Sequence, residues 1–328
     1  MRNAIRSTGF VIVLIIVLTG AFALAADYPT RPVTLINPMA PGGSHDVLGR
    51  AFAAVAEKYL GQPMVVLNKP GATGMIGTLA GAQAAPDGYT LTETSANTTC
   101  AVEFEIVEGR KPPFTRKDFI NIAAFNMSPT LIIVSHDSPW KNLKDMADDA
   151  RAKPDHFAYC SGGLFGMSHV PAAVLAKALG VKFRHVPYSG GGPCITAVVG
   201  KHVDFATQYP STCISLIKGN KLRALAVQSD RRLKSLPDVP SVKELGLNAE
   251  YYGWVGISVP LKTPAPIVEK LRDVVKKVAA DKAYIDMIEK LGDDVRFKVG
   301  DDLDKFWDSE TEMVAELFKT LVPEEKKK

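Results

Sequence analysis

Short β-branched apolar runs alternate along this chain with longer stretches whose apolar residues recur at helical spacing, the rhythm of an α/β protein. The run from Thr34 closes at Pro38, passes through Pro41-Gly42-Gly43 and reopens as a helix over Val47 to Tyr59. Met64 to Leu67 predicts a strand, Thr78 to Ala84 a small-residue helix and Tyr89 to Glu93 another strand, with Ser95 to Thr99 as a polar loop. After a charged, proline-containing segment at Gly109 to Lys117, the pattern restarts. A strand from Thr130 to Val134, a helix from Leu143 to Ala152, a strand from Phe157 to Cys160 and a helix from Met167 to Leu179 follow in turn. Strands at Val203 to Ala206 and Leu222 to Gln228 flank a helix near Ile214. Trp254 to Val259 is a last strand, and helices over Ile267 to Ala279, Tyr284 to Leu291 and Leu303 to Leu321 finish the chain.

Helices after a return strand imply that the C-terminus packs back on the first domain. The expected organisation is therefore a leader over 1–25, a first domain over 26–123 and 253–328, and a second over 124–252. Two crossings, near Ala123 and Gly253, would form a hinge.

Two stretches share one grammar. Thr34 to Arg50 reads strand, glycine turn, helix, and Phe183 to Val199 repeats it: a strand ending at Val186-Pro187, a triple glycine at Gly190 to Gly192, then Pro193 and an apolar helix. Glycines let the backbone turn with positive φ, so several unpaired N–H groups gather at a helix start, where an anion is favoured. Ser161-Gly162-Gly163 is a third strand–glycine–helix transition. By contrast, Gly71, Gly74 and Gly77 lack the G-x-G-x-x-G spacing of a dinucleotide loop, and no acidic residue closes a following strand at the required distance.

The N-terminus changes the compartment. Arg2 and Arg6 precede an uncharged apolar run from Gly9 to Leu24, and Ala23-Leu24-Ala25 supplies the small residues of a signal-peptidase site, so a soluble periplasmic product is expected. The remaining length favours two domains. The net charge of +4 falls by two once Arg2 and Arg6 are removed, and basic residues cluster only at Lys326 to Lys328, so nucleic acid is not an expected partner. Cys100, Cys160, Cys194 and Cys213 permit two disulfides in any of three pairings and match no metal motif; buried free thiols are the expected state.

The stretches YPTRPVTLINPMAPGGSHD, VVLNKPGATGMIGT, APDGYTL, HVPYSGGGP, KLRALAV and LPDVPSVKELGL, in that order, resemble the tripartite tricarboxylate transporter solute-binding proteins, the Bug family, along almost the whole mature chain. The resemblance implies a type II periplasmic binding protein, a Venus flytrap of two α/β domains. It also implies capture of a small carboxylate (a di- or tricarboxylate or an aromatic acid) for a membrane permease, by a monomer without cofactor or metal. The family's carboxylate pincer maps onto Ala40 to Asp46, including Gly43, Ser44, His45 and Asp46, and onto Tyr188 to Pro193, including Gly191 and Gly192. His45 stands where a small or hydroxyl residue is commoner, Gln208 where Asp or Asn is, and Cys194 where Ala is usual.

Ser95, Ser161, Gly162 and Tyr188 are further candidates at strand ends facing the same opening. Asp46 also fits as a plain first-turn residue on the helix dipole, and Tyr188 as a lid on the core. His169 reads as a packed histidine, whereas His45 has an imidazole free to donate to an acid. Two other functions use the same residues: docking of the liganded form on a membrane sensor kinase, and an enzyme with Cys194 as nucleophile. No second catalytic group and no G-x-S-x-G or Walker sequence supports the enzyme.

Overall fold

The computed structural model describes residues 28–188, 190–293 and 295–325, so the expected leader lies outside the described residues. VTLIN forms β1 (Val33–Asn37), paired in parallel with β2 (Met64–Asn68) on one side and β3 (Thr90–Ser95) on the other. Three antiparallel strands, β4 (Phe119–Pro129), β10 (Tyr252–Pro260) and β11 (Lys298–Val299), complete a sheet in the order β11-β4-β10-β3-β1-β2. The second sheet runs β7-β6-β8-β5-β9, from β5 (Leu131–Ser135), β6 (Ala158–Ser161), β7 (Arg184–Pro187), β8 (Phe205–Gln208) and β9 (Leu222–Val227).

Helices cover the sheets because their apolar residues fall on one stripe. α1 (Ser44–Leu60) follows β1, α2 (Met75–Ala82) follows β2 and α3 (Ala96–Val107) follows β3. Near the C-terminus, α8 (Ala265–Ala280) buries Ile267, Val268, Leu271, Val274, Val275 and Val278 at helical spacing, and α9 (Lys282–Lys290) adds Tyr284 and Ile288. Phe52 of α1 stacks on Phe125 of β4 at 4.6 Å in that core. On the second sheet lie α4 (Leu143–Ala152), α5 (Val170–Leu179), α6 (Gly191–Val199) and α7 (Pro210–Lys218). The last helix, α10 (Asp301–Glu325), runs beside α3.

The chain passes between sheets where β4 gives way to β5, at Thr130, and returns after β9 into β10. Tyr252 pairs with Pro129, so the two crossing strands lie side by side at the junction. Ala123, expected at the first crossing, instead sits within β4 and pairs with Ile257 and Val299. Small and polar residues in INIAAFNMS do not end the strand, because neighbours on both sides supply its ladder and the segment from Ile122 to Pro129 is buried. Apolar contacts bridge the junction. Met167 and Tyr209 of the second sheet's side pack with Met127, Trp254 and Trp307, while Phe165 stacks on Phe104 at 4.8 Å and meets Phe318 at 5.3 Å.

Candidate ligand site between the two sheets

Both sheets reverse their strand order beside one central strand. The chain steps from β1 to β2 on one side and then to β3 on the other, and from β6 to β7 and then to β8 in the same manner. Loops leaving the carboxyl ends of β1 and β6 therefore lie at topological switch points, where open α/β sheets bind ligands. The loop after β1 runs through Ala40 to Gly43 into the first helical turn at Ser44 to Asp46; β6 ends at Ser161 and its loop begins with Gly162 and Gly163.

In the first loop, Gly42 adopts φ +79°, which a side chain would strain. Gly43 precedes α1 with no side chain capping the helix, so the first-turn N–H groups are open to an acceptor. Asp46 turns back into the loop: its carboxylate accepts from the Gly42 N–H at 2.9 Å, from Arg50 Nε at 3.0 Å and from Asn68 Nδ2 at 2.9 Å. Burial opposes its ionisation, but these hydrogen bonds outweigh that and hold the carboxyl below the ordinary range. Asp46 thus ties the first turn of α1 to the loop at Gly42 and to Asn68 of β2. His45 is buried at 4% exposure, its Nε2 has no hydrogen-bond partner, and burial lowers its pKa to about 4, so the ring is a neutral donor or acceptor at physiological pH.

In the second sheet, Ser161 is fully buried and its hydroxyl donates to the Gly163 carbonyl at 2.7 Å, with His185 Nε2 at 2.8 Å. The Gly162 N–H donates to Ser168 Oγ at 2.8 Å. A methyl on Gly162 would sit 2.9 Å from the Gly191 nitrogen and 3.0 Å from the Gly190 carbonyl carbon, so this loop and the triple glycine are pressed together. Residue 189 of the expected second loop lies outside the described residues; Gly191 and Gly192 open α6, again without a side-chain cap. Tyr188 is half-buried, packs on the second sheet's core and donates its N–H to the Ser161 carbonyl at 2.9 Å.

A disulfide joins Cys160 to Cys194, whose Cα atoms are 5.6 Å apart. This corrects the expectation of free thiols at those two positions and removes Cys194 as a nucleophile, because no thiolate is available. The pairing follows from β6 and β7 running in parallel, which brings the start of α6 onto the end of β6. Cys100 and Cys213 are buried free thiols, as expected.

Ser95 is buried. It caps α3, accepting from the Asn97 N–H, with Thr98 completing a capping box. The predicted polar loop is thus the first turn of a helix, and Asn97 makes the contact across the junction: its Oδ1 accepts from the Met167 N–H at 2.9 Å.

A small crevice at the junction is lined by Ser44 and Leu48 from the first sheet's side, Asn126, Ser128, Gly253 and Val255 from the crossing strands, and Met167, Tyr209 and Ser211 from the second; of the glycine-loop regions only Ser44 reaches it. None of the nine is charged. Gln208, buried at the end of β8, lies against Gly191, and Tyr209 and Ser211 continue from it into the crevice. Beneath α1, Glu93 is fully buried with neither oxygen hydrogen-bonded, and desolvation, helped by the Asp46 charge, pushes its pKa well up. Ser44 lines the crevice, and Gln208 and His45 are buried outside its lining, whereas Asn97, Asn126, Ser128, Tyr209, Ser211 and Glu93 were not singled out from the sequence. Polar residues inside the apolar run of β4 and the Tyr209-Pro210-Ser211 helix start were the available signals. Among the described residues, no group of three His, Cys, Asp or Glu side chains can hold a metal ion, and no helix is long and apolar enough to cross a membrane.

Residues 48–322 match the profile of the tripartite tricarboxylate transporter family receptor. The protein BugT of Bordetella pertussis is 30% identical over 83% of this chain and 84% of its own length. The structure of the periplasmic binding protein BugD is 31% identical, covers 90% of this chain and 98% of that one, and superposes with a TM-score of 0.79. MatC of Rhodopseudomonas palustris, solved with bound malate, is 27% identical over 88% of this chain and 99% of its own, with a TM-score of 0.77. The fold is accordingly that of a periplasmic binding protein with two α/β domains, and the chain belongs to the tripartite tricarboxylate transporter receptor family, to which the Bug proteins are related.

Proposed function

We propose that this protein is a periplasmic receptor that captures a small carboxylate between its two sheets and delivers it to a membrane permease, without turning it over. The observation that carries the reading is the pair of uncapped helix starts, α1 after Gly43 and α6 after Gly190, each following a strand of one sheet; Ser44 of the first lines a crevice of uncharged residues between the sheets, and Gln208 lies against Gly191 of the second. With no Arg or Lys in the lining, backbone N–H groups and neutral side chains such as Ser44 and His45 are left to hold the anion. Charge-assisted hydrogen bonds to a carboxylate contribute about 1.5–3 kcal/mol each, so a few of them support micromolar binding. The malate in MatC and the family profile point the same way. The crossing strands β4 and β10 act as the hinge about which the sheets part to admit ligand, and the receptor works as a monomer. A thermal-shift screen of mono-, di- and tricarboxylates against sugars and cations tests the reading: acids should raise the melting temperature. Stabilisation by sugars or cations alone would refute it.

A further inference from the structure

The disulfide is placed where it controls the grip. Cys160 is the residue before Ser161-Gly162-Gly163, and Cys194 lies in the first turn of α6, two residues after Gly192. We propose that the Cys160–Cys194 disulfide is a positioning element of the ligand site, holding these two glycine loops in the register that carboxylate binding requires. The proposal rests on the carboxylate reading of the loops.

Three observations support it. The loops are in backbone contact at Gly162 and at Gly190 and Gly191, so any displacement of α6 is transmitted to the amides at its own start. Gln208 Nε2 lies 3.5 Å from Cys194 Sγ; a disulfide sulfur carries no hydrogen and can only accept, so the amide nitrogen faces it. Its Oε1 is thereby turned toward Gly191, 3.4 Å from where a methyl there would lie. Thirdly, both cysteines are fully buried in the second sheet's core, beside Ile195, Ala206 and Val227, with little room for the sulfurs to move apart. Two thiols need van der Waals separation where the bond holds sulfurs in covalent contact. Reduction therefore pushes the start of α6 away from β6, parts the glycine loops and frees Gln208. A chain still in a reducing compartment would lack the register, and the receptor would become competent only after oxidation.

The test compares oxidised wild type with the Cys160→Ser/Cys194→Ser variant, which keeps two unbonded heavy atoms at these positions, by calorimetry, using whichever of malate, adipate and benzoate most stabilises the oxidised protein. Far-UV circular dichroism checks folding, and amide exchange at Gly162, Gly191 and Gly192 gives a readout that a general loss of stability would not confine to these loops. The expected result is a Kd at least tenfold weaker, with exchange accelerated at the three glycines, while Cys100→Ala leaves Kd unchanged. If the double variant fails to fold, wild type reduced with a phosphine, with thiols counted by mass spectrometry, provides the same comparison. A Kd within twofold of the oxidised protein overturns the disulfide's role and leaves the carboxylate reading standing. Failure of the oxidised protein to bind any of the three acids overturns the carboxylate reading and this proposal with it.

Discussion

Gly162→Ala tests whether the paired loops of the second sheet hold the ligand. The added methyl would lie 2.9 Å from the Gly191 nitrogen and 3.0 Å from the Gly190 carbonyl carbon, both backbone atoms that no rotamer change can remove. Relief of the clash requires the loops to part by about 0.5–1 Å, since ordinary carbon contacts lie near 3.5–4 Å. The Gly162 side is tied by its N–H to Ser168 Oγ at 2.8 Å, so the movement falls largely on Gly190 to Gly192. A shift of that size takes a hydrogen bond of about 2.9 Å beyond the range in which it contributes. Loss of one charge-assisted bond at about 1.5–3 kcal/mol weakens binding roughly tenfold to a hundredfold. Overpacking of this kind also costs about 1–3 kcal/mol of stability, well short of unfolding a domain of this size. Calorimetry with the best acid from the screen, beside urea denaturation, separates the two effects. An unchanged Kd in a folded variant would mean that these glycines only turn the chain.

Two further outcomes concern buried carboxyls. Glu310 of α10 accepts from Trp254 Nε1 and Thr99 Oγ1, each at 2.8 Å, and burial raises its pKa from 4.5 to about 7 against the opposing effect of those bonds. The folded state then binds a proton that the unfolded chain has released, so stability falls as pH rises from about 4.5 to about 7. Glu310→Gln keeps an acceptor for both donors and should gain about 1–3 kcal/mol relative to wild type at pH 8 but little at pH 4; urea melts giving the same difference at both pH values would refute this. Gly49→Ala would place a methyl 1.9 Å from Glu93 Oε1 and should destabilise by about 2–4 kcal/mol. Glu93→Ala should make room for that methyl, giving a coupling above about 1 kcal/mol in a double-mutant cycle; additive effects would show that the two do not share the space.

The alternation of apolar runs was enough to read most of the fold. Helices such as Ile267 to Ala279 and strands such as Trp254 to Val259 are close to α8 and β10, because their periodicity matches the face they bury. Two segments misled, each for a local reason. Ser95 to Thr99 reads as a loop from its hydroxyl and amide side chains, yet Ser95 and Thr98 form a capping box that starts a helix with those residues inside it. The crossing expected near Ala123 falls inside β4: Asn121 to Ser128 has Ile122 as its single β-branched residue, and its pairing with β10 and β11, more than 100 residues away in sequence, determines its structure.

The site divides along the same line. Glycine loops are legible because a backbone requirement leaves a mark in the sequence, and the two helix starts at Ser44 and Gly191 lie where that mark predicts. What those loops face is decided by contacts that no local pattern encodes. Asn97 reaches Met167 across the junction, Tyr209 packs its hydroxyl under Gly253, and Glu93 lies beneath Gly49 because β3 neighbours β1. The disulfide belongs to this second class, since four cysteines allow three pairings and only the parallel alignment of β6 with β7 selects Cys160 with Cys194. Under the proposed reading, recognition of the anion is carried by backbone geometry that the glycines announce. The spacing of the loops depends on long-range contacts, and there a single substitution away from the loops, at Gln208 or either bridged cysteine, should alter binding while the glycine pattern itself stays intact.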